Sequence, residues 1–135
     1  MATAIVSAWD ALGAAISAGS NPPGELSDPR FYRDGEVPVN APLGYYLLGQ
    51  PLEDPAGFIN QPGNSGSYTV HCWASTLARA ARLYTWLEGL LHGSRLPVTG
   101  HTVWRCSVRA AGSGRDADSN ARQIIARVDM DTVVA

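Results

Sequence analysis

Residues 67–92 read SYTVHCWASTLARAARLYTWLEGLLH, and within them the side-chain period changes from two to 3.6. Alternation over 67–74 places Tyr68, Val70 and Cys72 on one side of a strand and Thr69, His71 and Trp73 on the other. From 76 to 92 the apolar positions Leu77, Ala80, Ala81, Tyr84, Leu87 and Leu91 form a helical stripe, opposite Arg79, Arg82 and Glu88. Ser75 is the expected N-cap and Gly93 the residue just past the helix end.

Toward the C-terminus the period returns to two. Residues 94–112 give a strand with Trp104, Cys106 and Val108 on one face and Arg105, Ser107 and Arg109 on the other. Residues 113–120 are a turn by composition, carrying Arg115 and Asp116. Residues 121–134 form a second strand, with Ile124, Ala126, Val128 and Met130 inward and Gln123, Arg127, Asp129 and Asp131 outward. Such alternation in both strands predicts an antiparallel hairpin with one wet face. That face is expected to hold Arg105, Arg109, Arg122, Arg127 and Asp129 as an intersubunit or nucleic-acid-facing surface, which the family resemblance given below makes a channel-facing one, with Arg127 and Asp129 pairing between copies.

Toward the N-terminus, Ile5, Trp9, Leu12 and Ile16 predict a helix over 3–18, capped by Thr3 and ended by Gly19 and Asn21-Pro22-Pro23. Prolines at 22, 23, 29, 38 and 42 make 19–42 a long loop, and 43–49 (LGYYLLG) a short strand. Residues 50–66 read as a second long loop with three prolines and one apolar pair, Phe58-Ile59. The expected fold is a single α+β domain over 1–135. It has a four-stranded, mainly antiparallel sheet, two helices on one face, the order α-β-β-α-β-β, and long loops at 19–42 and 50–66.

Composition excludes several classes. At 135 residues the chain is shorter than the roughly 150 at which a second domain is expected. It carries ten arginines, no lysine and twelve acids, for a net charge of −2. A phosphate-coating protein normally has a basic patch and a high pI, whereas the pI here is about 5.8. A hydrophobic fraction of 45% argues against intrinsic disorder. No apolar run approaches the roughly 18 residues of a membrane span, and the N-terminal run lacks a basic start and contains Asp10.

Catalytic constellations are weak. His71 and Cys72 are adjacent on a strand and point to opposite sides, so they cannot form a nucleophile–base pair. Cys106 with His101 lacks a third orienting residue, and the three histidines and two cysteines show no zinc spacing. Gly63-Asn64-Ser65-Gly66 lacks the lysine and helix of a phosphate loop, and Asp116 with Asp118 reads as a solvated turn. No catalytic residue, metal or cofactor is expected. The features that suit protein contacts are the loops 19–42, 50–66 and 112–120, the anchors Phe58 and Ile59, Arg115 and Asp116, and two tryptophans outside the inward stripes, Trp73 and Trp86.

Six ordered blocks resemble the tail terminator, or tail completion, proteins of long-tailed bacteriophages. RFYRDGEVP (30–38) is similar to the family's R-[IV]-Y-x-x-x-P segment and PLGYYLLG (42–49) to its following strand. SYTVHCWA (67–74) resembles its strand with His and Trp, and ARAARLYTWLEGLLHG (78–93) the helix after it. LPVTGHTVWRCSVR (96–109) and RDADSNARQIIARVDMDT (115–132) resemble the closing strands. The resemblance implies a homohexameric ring that caps the tail tube, stops its polymerisation and faces the head connector, with DNA passing through the lumen without sequence-specific binding. It implies no membrane, and a place at the tail–neck junction of a virion assembled in the host cytoplasm. The competing readings are another neck protein, such as a head–tail stopper or adaptor, and a small enzyme or ligand-binding domain.

Overall fold

The computed structural model describes residues 4–49, 52–58, 61–116 and 121–134. Thr3, Ile59 and Asp118, named above, lie outside the described residues, as do the side chains of Ile5 and Phe58. The elements are α1 (Ala4–Ala18), β1 (Phe31–Arg33), β2 (Tyr45–Leu48), β3 (Leu52–Phe58), β4 (Gln61–Ala74), α2 (Leu77–Leu91), β5 (His101–Arg115) and β6 (Arg122–Val134). The strands form one mixed sheet in the order β1-β2-β4-β6-β5, and β3 pairs with β4 beyond the β2 segment. No described helix is long and apolar enough to cross a membrane.

The α+β class stands, but two strands replace expected loops. β1 pairs in parallel with β2, Phe31 opposite Tyr46. Its three residues fall between prolines 29 and 38 and are too few to show a period. Within 50–66, β3 pairs antiparallel with the start of β4, Leu52 opposite Ser67 and Phe58 opposite Gln61. Pro55 is accommodated because β3 pairs on only one side, where a missing N–H can face outward.

One sheet face is buried under both helices. Tyr46, Leu48, Tyr68, Val70, Cys72, Val103, Cys106, Val108, Ala126, Val128 and Met130 meet Ala8, Leu12 and Ile16 of α1 and Ala80, Leu83, Leu87 and Leu91 of α2. The α2 stripe is therefore rotated from the expected one. Leu83 is buried, Leu77 is 51% exposed, and the half-buried Tyr84 turns its hydroxyl to Glu88 at 2.6 Å. Both stripes share Ala80, Leu87 and Leu91, so spacing alone does not separate them. The N-cap is Thr76 instead of Ser75: its Oγ1 accepts from the Arg79 amide at 3.2 Å. Gly93 takes the expected left-handed position, φ 75°.

The long 19–42 segment is tied down by charge. Arg30 Nη1 donates to the carbonyls of Ile16 (3.0 Å) and Gly19 (2.8 Å), two groups that a helix end leaves without intrahelical partners. Arg33 pairs with Asp10 at 2.9 Å, and Arg82 on α2 pairs with Glu25 at 2.6 Å. Gly44, at φ 100°, lies where the segment passes under the start of β2, and a Cβ there would collide with the Glu25 carbonyl. The β5 edge is covered in its middle by the α2 terminus: Gly93 N–H donates to Cys106 O at 2.8 Å and Val108 N–H to His92 Nδ1 at 3.0 Å.

Candidate assembly interface

The second sheet face carries no helix, and its side chains follow from pairing register. On β4 it presents Ser65, Ser67, Thr69, His71 and Trp73, opposite Asp131, Asp129, Arg127, Ile125 and Gln123 of β6. β5 extends three of those rows, with Arg105 opposite Asp131, Ser107 opposite Asp129 and Arg109 opposite Arg127. Side chains this close across a sheet interact directly.

The rows are wired by polar bonds. Asp131 accepts from Ser65 Oγ at 2.6 Å and from Arg105 Nε at 2.6 Å. Asp129 accepts from Ser67 Oγ at 2.7 Å and from Arg127 Nε at 3.0 Å, and Arg127 Nη2 reaches Ser67 Oγ at 2.9 Å. Burial raises the Asp129 pKa, but the bonds from Ser67 and Arg127 and the charges of Arg127 and Arg109 outweigh it, leaving the carboxyl below its ordinary value. Arg109 and Arg127 face each other, a like-charge pairing that the Asp129 carboxylate relieves.

Register places three of the four expected arginines, 105, 109 and 127, on this face. Arg122 is the exception. It is opposite Ala74, on the side of the buried residues, because it is an even-numbered position on a strand whose outward positions are odd. The Arg127–Asp129 pair forms within one chain, where pairing between copies was expected. Asp131 points outward as expected, yet it is buried beneath Arg105.

One tryptophan also diverges from expectation. Trp104 does not face inward: a bulge between Val103 and Arg105 shifts the register and leaves it 44% exposed. Trp86 is used within the chain. It stacks on Tyr46 with ring centres 6.0 Å apart, covers Gly19, and donates from Nε1 to Ser20 O at 3.1 Å. Trp73 lies on the outer face opposite Tyr45. Arg115 ends β5, opposite Arg122, and Asp116 follows it. Phe58 is at the end of β3, opposite Gln61.

Tyr45 and Trp73, together with Pro38, Val39, Ala41, Leu43, Asp116 and Ala121, line a depression of about 360 Å³. Val39 is fully exposed and Leu43 41% exposed. Spacing did not show this feature, because its walls come from three separate segments. The serine–aspartate rows were not legible either: Ser65 falls in the segment read as a loop, and the hairpin pattern joins β5 to β6, so nothing local sets Ser65 and Ser67 of β4 opposite Asp131 and Asp129.

The histidines and cysteines are dispersed. His71 Nδ1 lies 2.8 Å from Gln123 Oε1, His92 caps the β5 edge, and His101 Nδ1 lies 3.0 Å from Thr99 O. Cys72 and Cys106 are buried free thiols; burial pushes the Cys72 pKa strongly up and that of Cys106 to about 11. Among the described residues no group of three or more His, Cys, Asp or Glu side chains could hold a metal ion.

Comparison with known proteins identifies the architecture. A family described as "Tail completion protein gp17" matches residues 10–134, nearly the whole chain. The chain belongs to the tail completion protein family. It is accordingly a structural protein of a phage-type virion tail. Among solved structures, a chain from the "Virion of native gene transfer agent (GTA) particle" superposes with a TM-score of 0.80, covering 99% of this chain and 100% of that one. At 16% identity that likeness speaks for the shared fold. No curated protein matches the sequence.

Proposed function

We propose that this tail completion protein forms a hexameric ring that ends tail-tube polymerisation and joins the tail to the head connector at the neck of the virion. The family match over residues 10–134 carries the reading. In this reading its partners are copies of itself, the major tail tube protein and the connector or stopper proteins.

The polar sheet face suits a channel wall. Its arginines 105 and 127 are each bonded to an aspartate of the same face, and Asp129 sits beside Arg109. DNA can slide past such a surface, whereas bare arginines would release counterions from phosphate and hold it. The chain's net charge of −2 acts in the same direction. Phe58, at the end of β3, and Ile59, which follows it in sequence, are proposed to grip a neighbour, and Arg115 and Asp116, at the end of β5, to contact one as well.

Electron microscopy of the particle tests the proposal. One ring of this chain is expected at the head-proximal end of the tail, and particles lacking it should carry tubes of uncontrolled length. A position on the head side with no contact to the tube protein would instead assign the chain to the stopper or adaptor role. A Phe58→Asp, Ile59→Asp chain should fold and fail to assemble; normal assembly would remove those two residues from the interface.

A further inference from the structure

We infer that the last part of β5, residues 112–115, takes up an extended acidic segment of a second protein as an added strand. The contact goes beyond the ring reading and does not depend on it.

β5 is an edge strand, bonded to β6 on one side only. Along such a strand the backbone groups alternate between pointing at the neighbour and pointing away. Cys106 and Val108 point away from β6, because Cys106 O accepts from Gly93 N–H and Val108 N–H donates to His92 Nδ1. Ala110 points the same way, and its N–H donates to the Tyr84 hydroxyl. The extra residue between Ala110 and Gly112 then shifts the phase, since Ala110 is opposite Ala126 and Gly112 opposite Ile125. Past it, Ser113 and Arg115 are the residues that point away from β6. Their outward N–H and C=O groups have no partner among the described residues, because the cover supplied by α2 and its C-terminal end stops at Ala110.

The other described edges are blunted. β1 is three residues long, and β3 carries Pro55, which has no N–H to offer. The start of β5 is interrupted by the bulge at Trp104 and by the Val98–His101 bridge. Residues 112–115 have no proline, no lysine and no cover, the devices that ordinarily keep an edge from pairing. Positions 110–114 are all Ala, Gly or Ser, so no bulky side chain obstructs a backbone arriving at about 4.8 Å. What the edge offers, N–H and C=O groups in strand order, is matched by another extended main chain.

Charge selects the occupant. Arg109 and Arg115 flank the stretch, both are exposed, and neither is in an ion pair. Arg115 stands directly opposite Arg122, so an added strand would extend a row that already holds two positive charges. The acidic stretches of this chain are held in place elsewhere. Glu25 pairs with Arg82, Glu53 and Asp54 lie in β3 against β4, and Asp129 and Asp131 bond within the sheet. The amides of Asp34 and Glu36 fix a turn to Leu48 and Arg33. A second copy offering the same edge would bring its own Arg109 and Arg115 to these. The occupant is therefore a different polypeptide, extended and acidic.

A display library of short random peptides, selected on the native chain, is the probe. Enriched peptides should be acidic and free of proline at their centre. Made synthetically and dye-labelled, they should bind Arg115→Glu about 10-fold or more weakly, and Ser113→Pro likewise, by fluorescence anisotropy. Ser113→Ala should bind as the unaltered chain does, because the main chain makes the contact. Ser113→Pro removes an outward N–H and no bond to β6, and circular dichroism checks its fold. Amide hydrogen exchange reads the same contact without any substitution: the Ser113 and Arg115 N–H groups should exchange more slowly with peptide bound. A selection that enriches nothing, or basic or apolar sequences, overturns the inference. So does binding that ignores Arg115→Glu or a folded Ser113→Pro, or exchange at those two amides that does not slow. Slowing of the same amides as the chain alone is concentrated would make the occupant a second copy, and overturns the choice of partner.

Discussion

Arg105 donates from Nε to Oδ2 of Asp131 at 2.6 Å, and the aspartate beneath it is only 4% exposed. The arginine is in contact with water and the carboxylate is not, so the pair is asymmetric. Its carboxylate also holds Ser65 of β4, which ties three strands together at one level.

Replacing Asp131 by Ala should therefore cost more than replacing Arg105. The loss of Asp131 strips an acceptor from both Ser65 and Arg105, and about 1–3 kcal/mol is expected. Urea unfolding followed by tryptophan fluorescence measures the difference. Equal costs would mean that the buried carboxylate is not the centre of the cluster.

The same face should become adhesive to nucleic acid when its acids are neutralised. Asp129→Asn with Asp131→Asn leaves Arg105, Arg109 and Arg127 without countercharges. Double-stranded DNA binding should appear in a low-salt gel shift and weaken steeply as salt is added. No gain in binding would count against charge balance as the property of this face.

Asp129 sets an acid limit to stability. Its folded-state pKa lies below its unfolded value, so its contribution is fully present above the ordinary aspartate range and is lost as pH falls through the folded pKa. Thermal melts from pH 6 down to pH 2 should show a decline, beginning below about pH 5, that is shallower in Asp129→Asn. Identical pH profiles would show that Asp129 titrates alike in both states.

Two glycines should respond in opposite directions. Gly44→Ala places a Cβ on a backbone with φ 100° and against the Glu25 carbonyl, and about 2 kcal/mol or more of stability should be lost. Gly89→Ala, in the exposed part of α2 with open space around it, should gain about 0.5–1 kcal/mol. Differential scanning calorimetry of both variants checks the contrast.

Cys72 should resist alkylation. Its thiol is fully buried with its pKa pushed well up, so labelling at pH 8 should proceed only through unfolding. Mass spectrometry after timed iodoacetamide exposure reads the rate, and Cys72→Ala should cost about 1–3 kcal/mol. Rapid labelling of the native chain would contradict the burial.

Local periodicity was enough to place α1, α2, β2, β6 and the C-terminal half of β4, and to separate the inward Val70, Cys72, Ala126 and Val128 from the outward Arg127 and Asp129; it indicated β5 but not its bounds, since the strand begins at His101 instead of 94 and runs on to Arg115, where a turn was expected. Each of those choices depends only on the next few residues along the chain. The tertiary structure decided what depends on a distant partner. β1 and β3 are strands because β2 and β4 offer backbone groups to pair with, not because of their own sequences. Trp104 faces outward because of a bulge that exists only in its pairing with β6, and Leu83 is buried because of the sheet that α2 meets. The depression under Val39 draws on three segments that lie apart in sequence. Short-range spacing reports which face a side chain takes within an element; which element stands opposite it is a property of the folded chain.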